Sequence, residues 1–526
     1  MKTSAANLSP LIRLDGALAC LLGLSGLLLY VRTLAPGLLY GDSGELQTVV
    51  YSLGMTHPTG YPVYILLGRL FTLLPVGDPA WRVNLFSAVL GALTVANIYL
   101  IVRILSGWRL AAIIAAIPLA VTPLFWYFSV IAELYVPACA FLSGVFLVLL
   151  LWHQTGKWPW LAASALLGGL SLGVHSSVAL AAPGVLVYLG LTARSRLEWI
   201  AAACAALVGV ALVFASFLIL DARNPAAGYY HATVEPSLSV WKMDASDFDS
   251  PLERLEFLYA AKQFNYAMFK QPAETMPFIA GKYRDVLGKI FPPLTLALMG
   301  IGLIGLFIRR WREGLLLLLG WGVGMVFITN YNIYDVIVFF VPTFVFLALW
   351  IGSGLGALMQ LLAWGSERIG LKKIAIPAAA LIGIVALGLT VQFWGGMVFR
   401  AWESKAVVFM RNTEFEEYPY PIDDPQAVHS KAQALVNAIE DNAILFLDWD
   451  LLFPCYYVAR ELERTGLDFH EAYPQEGVDR FADSAIKYIE RNIDTRPIYF
   501  SERPTQLATS YKITRRGFGL FRIDKK

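Results

Sequence analysis

Charge is what this chain has least of. Only 15% of its 526 residues are Asp, Glu, Lys or Arg, while 57% are hydrophobic. An ordinary soluble domain carries about 25% charged residues. The deficit excludes a soluble single-domain enzyme, a disordered protein and a dedicated nucleic-acid binder. Cysteine is almost as scarce. Cys20, Cys139, Cys204 and Cys455 are scattered and three lie in apolar runs, so there is neither a disulfide framework nor a zinc spacing. No HExxH metal pair occurs either.

The shortage of charge is uneven. Residues 401–526 hold 37 of the 80 charged side chains, with 16 basic and 21 acidic. Residues 1–400 carry the remaining 25 basic and 18 acidic groups. The first region belongs in lipid and the second in water. The fold class expected is mainly α: a polytopic helical membrane protein with a small C-terminal α/β domain. About 20 apolar residues cross a bilayer. Eleven candidate spans follow, at 17–35, 83–104, 110–127, 133–151, 161–174, 177–191, 198–219, 291–308, 313–330, 336–355 and 375–396. The pair 161–174 and 177–191 is short enough to be a re-entrant hairpin instead. The first run has no small-residue cleavage site after it, so it reads as a retained span rather than a signal peptide.

Lys and Arg favour the cytoplasmic side. If the N-terminus is cytoplasmic and 61–75 lies along the interface without crossing, the cytoplasmic loops receive Arg103 and Arg109, Lys157, Arg194 and Arg196, Arg309 to Arg312, and Arg368 to Lys373. The opposite, extracytoplasmic face then receives a first loop (36–82, with its interfacial helix), a long loop (220–289) and residues 400–526. The division is a membrane domain at 1–399 and a soluble domain at 400–526. In the latter, helical patterns (431–440, 451–465, 479–492) alternate with strand-like runs (443–447, 497–501, 511–523).

Ionisable groups at membrane depth are costly and mark function by default. Tyr40-Gly41-Asp42-Ser43-Gly44-Glu45-Leu46 follows the first span. Its glycines permit a tight turn, and a half-shielded carboxylate suits a general base. Asp42 could equally cap a helix starting near Glu45. His57-Pro58-Thr59-Gly60-Tyr61-Pro62 makes a rigid entry into 61–75, where His57 could contact phosphate or metal, or cap. Glu133, His175 and Asp335 stand at three further bends on the same face. That coincidence points to a site more strongly than any one residue. Asp448-Trp449-Asp450 matches the DxD pattern of sugar-nucleotide enzymes, but three residues carry little information. It reads as a strand end and helix N-cap.

These motifs in this order resemble the GT-C superfamily of polyprenyl-phosphate-sugar-dependent glycosyltransferases, and within it the protein O-mannosyltransferase-like membrane proteins. The resemblance rests on Gly41–Glu45, His57–Pro62, Ala132-Glu133-Leu134-Tyr135, Gly173-Val174-His175 and Asp335–Pro342. Thr59 stands where a second proline is usual, and Val174 where a polar residue is. The resemblance implies an inverting transfer of a sugar, such as mannose, from a polyprenyl-phosphate donor to a protein or glycan hydroxyl. Asp42 would be the base with Glu45 beside it. The substrate-binding residues would be His57, Tyr61, Arg69, Glu133, Tyr135, His175, Tyr334 and Asp335. The leaving phosphate would need positive charge or a divalent metal, the one cofactor the reaction suggests, and Arg69, Arg82, His57, Lys282 or Arg284 could supply the charge. The expected location is a bacterial inner membrane, with membrane lipid and no nucleic acid as partners. A transporter or flippase is the alternative; its polar residues should lie near the midplane and be reachable from both sides.

Overall fold

The structure is a computed structural model that describes residues 9–405, 424–475 and 480–526. Among the described residues, seven helices are long and apolar enough to cross a membrane: Arg13–Arg32, Pro79–Ser106, Tyr135–Thr155, Arg196–Arg223, Trp311–Thr329, Val336–Arg368 and Ile376–Ser404. In hydrocarbon every backbone amide must find its partner within the segment, and helices achieve this. Two bent pairs raise the count to nine. Arg109–Val121 joins Pro123–Ser129 at 66°, and Pro272–Ile290 joins Pro293–Arg309 at 116°. In each, a proline opens the second helix and removes a ladder donor. The expectation of eleven spans is therefore not confirmed. The segments at 161–174 and 177–191 fold as Trp158–Ser171, of 14 residues, and as a 3₁₀ turn (Ser176–Ala181) leading into Ala182–Thr192. At 1.5 Å per residue the first spans only about 21 Å, short of the roughly 30 Å hydrocarbon layer.

Helices approach closely where small residues face one another, because lipid supplies no hydrophobic drive between them. A Cβ on Gly302 would collide with the Trp350 carbonyl oxygen, and one on Gly354 with that of Leu298. At one end of the bundle, fully buried Asp15 accepts from Arg103 Nε (3.2 Å) and Arg109 Nε (2.8 Å). Arg194 donates to the His153 carbonyl at the same end, and Ser9, Arg309 and Arg310 border a common cavity there.

At the opposite end lie the Gly41–Ser52 and Pro62–Thr72 helices of the first loop. The first two amides of Pro62–Thr72 after its proline, Val63 and Tyr64, donate to the Gly173 carbonyl at 2.8 and 3.1 Å. A Cβ at Gly173 would meet Val63 at 2.6 Å, so the glycine admits the helix.

Among the described residues, 424–475 and 480–526 build a five-stranded sheet from β1 (Ile444–Leu447), β2 (Asp468–Glu471), β3 (Ile498–Phe500), β4 (Tyr511–Arg515) and β5 (Phe521–Lys525), in the order β2-β1-β3-β5-β4. β1 is wholly buried and runs parallel to β2 and β3, while β5 pairs antiparallel with β3 and β4. The run at 511–523 is thus two strands around a turn. β2 was not expected. Asp-Phe-His-Glu is too polar to read as a strand, yet three of its four residues are buried. The Trp449–Glu461 helix packs on Gly41–Ser52, where Thr48 Oγ1 donates to the Phe453 carbonyl at 3.0 Å and the Pro454 ring meets Gly44. The C-terminal sheet and the first loop share one apolar core.

A candidate functional site beneath the C-terminal domain

A cavity of about 520 Å³ opens where the first loop, the His175 and Asp335 bends, the long loop and β2 converge. The motifs at Asp42, His57, Tyr61, Tyr135, His175, Tyr334 and Asp335 all border it. Arg69, Glu45 and Glu133 do not.

Asp42 lies in the first turn of Gly41–Ser52. Gly41 enters that helix at φ +59°, a left-handed conformation that suits glycine. A Cβ on Gly44 would come within 2.5 Å of the Leu39 carbonyl oxygen and 3.1 Å of Pro454. Both glycines of the motif are therefore explained: one by backbone conformation, the other by close approach. The approach brings the Trp449 indole to Asp42, and Nε1 donates to Oδ1 at 2.7 Å. Asp448 caps its helix, accepting from the Leu451 amide at 3.0 Å, as the strand-end reading expected. The tryptophan between the two aspartates was missed as a site residue.

Glu45 is fully buried and committed. Its two oxygens take the His57 backbone amide (2.7 Å) and ring Nδ1 (2.5 Å). Burial opposes charge on the ring, but Glu45 and Asp42 outweigh it and lift His57 to about 9. His57 is thus a cation that borders the cavity. Its Nε2 faces the Tyr61 hydroxyl at 3.4 Å, and that hydroxyl donates to the Pro58 carbonyl at 2.6 Å. Tyr61 holds φ +45°, a strained value for a bulky residue, and stacks on His175 with centroids 5.6 Å apart.

His175 is the opposite kind of histidine. Its Nδ1 accepts from the Ser177 amide (3.2 Å), so the proton resides on Nε2. Burial and the nearby His57 cation press it down to about 3, and it stays neutral. Tyr135 and Phe339 pack against it at 5.2 and 5.7 Å, with Tyr331 beyond Phe339. Tyr334 is exposed at the rim.

The other expected residues fall elsewhere. Glu133 is buried behind the wall, where its Oε2 accepts the Leu134 amide; burial and Asp42 push its carboxyl well above the usual range. Arg69 donates to the Tyr51 carbonyl (3.0 Å) and Thr72 Oγ1 (3.1 Å), away from the cavity. Arg82 is held by the Val76, Thr72 and Gly77 carbonyls, and Arg284 pairs with Asp285. Among the described residues, no Lys or Arg borders the cavity. Nor do any three metal-ligand atoms there come within 4.8 Å of one another. The one such group in the described residues, His231, Asp468 and His470, is engaged otherwise: Asp468 with Arg496 and His231, and His470 with Tyr488 Oη and the His231 carbonyl.

Glu471, at the end of β2, also borders the cavity and was also missed, since its strand was. Burial, aided by Glu45 and Asp42, lifts its carboxyl to about 8.

The protein O-mannosyl-transferase TMEM260 N-terminal domain family matches residues 42–198. The mouse protein O-mannosyl-transferase TMEM260 is 40% identical over 107 residues, 20% of this chain and 15% of that protein. Its Dictyostelium discoideum counterpart is 30% identical over 123 residues, 22% of this chain and again 15% of the relative. The chain thus aligns with a small part of each relative's length. The crystal structure of apo ArnT from Cupriavidus metallidurans covers 96% of this chain and 97% of its own at a TM-score of 0.54, with 14% identity, a likeness of fold. The two likenesses differ in reach: residues 42–198 are similar to the N-terminal domain of the protein O-mannosyl-transferase TMEM260 family, and the chain as a whole is a helical membrane protein with a fold like that of ArnT.

Proposed function

We propose that the chain transfers a sugar, in the first instance mannose, from a polyprenyl-phosphate donor to a hydroxyl acceptor, with Asp42 as general base. The observation that carries this reading is the Asp42 carboxylate on the cavity wall, oriented by the Trp449 N–H at 2.7 Å. The acceptor oxygen attacks the anomeric carbon as its proton passes to Asp42. The bond from that carbon to the phosphate oxygen breaks, and polyprenyl phosphate leaves with inversion. General-base help is worth about 10²–10⁴ in rate. Negative charge that gathers on the departing phosphate meets the His57 cation, which Glu45 holds in place. The aromatic wall formed by Tyr135, Phe339 and Tyr331 suits an apolar chain entering from the bilayer.

The reaction is assigned to the extracytoplasmic face. Arg103, Arg109, Arg194, Arg309 and Arg310 gather at the other end of the bundle, and such clusters favour the cytoplasm. Residues 1–399 then form the transferase domain, while the domain at 400–526 closes the site with Trp449 and presents the acceptor. The test is release of mannose from polyprenyl-phosphate-mannose in membranes holding equal amounts of wild type or Asp42→Asn, with endogenous acceptors present. Turnover by the wild type and a fall of about 10²–10⁴ in the variant are expected. Equal turnover in both removes Asp42 as the base.

A further inference from the structure

The cavity wall carries two polar atoms that the protein itself leaves without a partner. Glu471 Oε2 and Thr59 Oγ1 are each buried, lie in residues 8% exposed, and make no hydrogen bond. Both residues border the cavity. Three other groups of the site have partners: Asp42 has Trp449, Glu45 has His57, and Tyr61 has the Pro58 carbonyl. A buried hydroxyl or carboxyl oxygen left unpaired forfeits its hydration without return, so native folds rarely keep one without a purpose. Two on one cavity wall indicate that a ligand completes them.

The chemistry of the pair limits what that ligand is. Glu471 feels the carboxylates Asp42 and Glu45 and, more weakly, the His57 cation, with the Tyr229 and Thr233 hydroxyls close by. Burial in that company keeps its proton on at neutral pH. A neutral carboxyl group donates one hydrogen bond and accepts others, and so does a threonine hydroxyl. Neither suits an anion as a lysine would. Both match the alternating donors and acceptors of a sugar ring.

We propose that Glu471 and Thr59 form a subsite that hydrogen-bonds hydroxyls of the sugar delivered into the cavity. The inference deepens the transferase reading and rests on it. The C-terminal domain thereby gains a second role, in which β2 supplies part of the sugar pocket just as the helix after β1 supplies the tryptophan that holds Asp42. The polyprenyl chain has no share in these contacts, so loss of the subsite should be felt by the sugar-bearing donor and not by the bare lipid phosphate.

The experiment uses the full chain in detergent. Thermal stabilisation by polyprenyl-phosphate-mannose and by polyprenyl phosphate is measured for the wild type, Glu471→Gln and Glu471→Ala, alongside donor KM and kcat. The amide of Glu471→Gln keeps a donor and an acceptor without charge, so this variant should stay within about threefold of wild-type affinity for the mannose donor. Glu471→Ala should weaken that affinity at least about tenfold, the loss expected from one hydrogen bond of roughly 1.4 kcal/mol, and leave polyprenyl phosphate binding unchanged. Unaltered donor affinity in Glu471→Ala overturns the subsite. So does a Glu471→Gln variant as impaired as the alanine, since charge would then be what matters. An equal loss for both ligands overturns it too, because it would show a general collapse of the cavity. A wild type that responds to neither ligand overturns the transferase reading, and this inference falls with it.

Discussion

Replacing Trp449 by phenylalanine isolates one interaction between the C-terminal domain and the reacting centre. The indole N–H donates to the Asp42 carboxylate at 2.7 Å. The ring itself is packed edge-on against Phe453, with centroids 5.1 Å apart, and against Tyr229 at 6.2 Å. Phenylalanine keeps much of that packing and removes the donor. A hydrogen bond to a charged group contributes about 1.5–3 kcal/mol net. If it orients the base in the transition state, kcat/KM should fall by about 10- to 150-fold at roughly 1.4 kcal/mol per decade. The assay is initial-rate mannose transfer from polyprenyl-phosphate-mannose by purified protein, with melting temperature measured on the same sample. Trp449→Ala serves as contrast. It also removes the ring's packing against Phe453 and Tyr229 and should lower the melting temperature as well. A Trp449→Phe protein within about threefold of wild-type kcat/KM, with unchanged stability, would refute the claim that the tryptophan orients Asp42.

The Glu45 and His57 pair gives stability a pH signature. The folded His57 is raised to about 9 by Glu45 and Asp42, so its contribution is complete below the ordinary value near 6.5 and is lost as pH climbs through 9. The melting temperature should decline over that window by at most about 3 kcal/mol in free energy, and Glu45→Gln should flatten the decline. An identical slope in Glu45→Gln, followed by scanning fluorimetry, would contradict the assignment. Gly44→Ala should push the Gly41–Ser52 helix off Pro454 and the Leu39 carbonyl, costing about 1–3 kcal/mol and at least tenfold in transfer rate. A variant with native melting temperature and rate would show that the interface gives way freely.

Much of the molecule can be read along the chain. Low charge, long apolar runs and the location of basic loops are properties of local composition, and they determine that the chain is a helical membrane protein with a more polar C-terminal part. The scattered motifs at Asp42, His57, Tyr135, His175 and Asp335 could be assigned to one face because helix length relates residue number to depth. Their gathering around one cavity fits that assignment. Span number was less legible, since the 14-residue helix at Trp158–Ser171 and the proline-bent pairs break the relation between an apolar run and a crossing.

Partnership was decided only by the tertiary structure. Glu45 and Asp42 are alike as letters three places apart. One is buried and clamped on His57, while the other, a turn nearer the helix start on the same side, borders the cavity. Trp449 meets Asp42 across 407 positions, and Glu471 lies on a four-residue polar strand that pairing with β1 creates. Local periodicity carries no trace of such contacts. Desolvation is set by whatever packs on top of a residue, and here that is a domain folded from the far end of the chain.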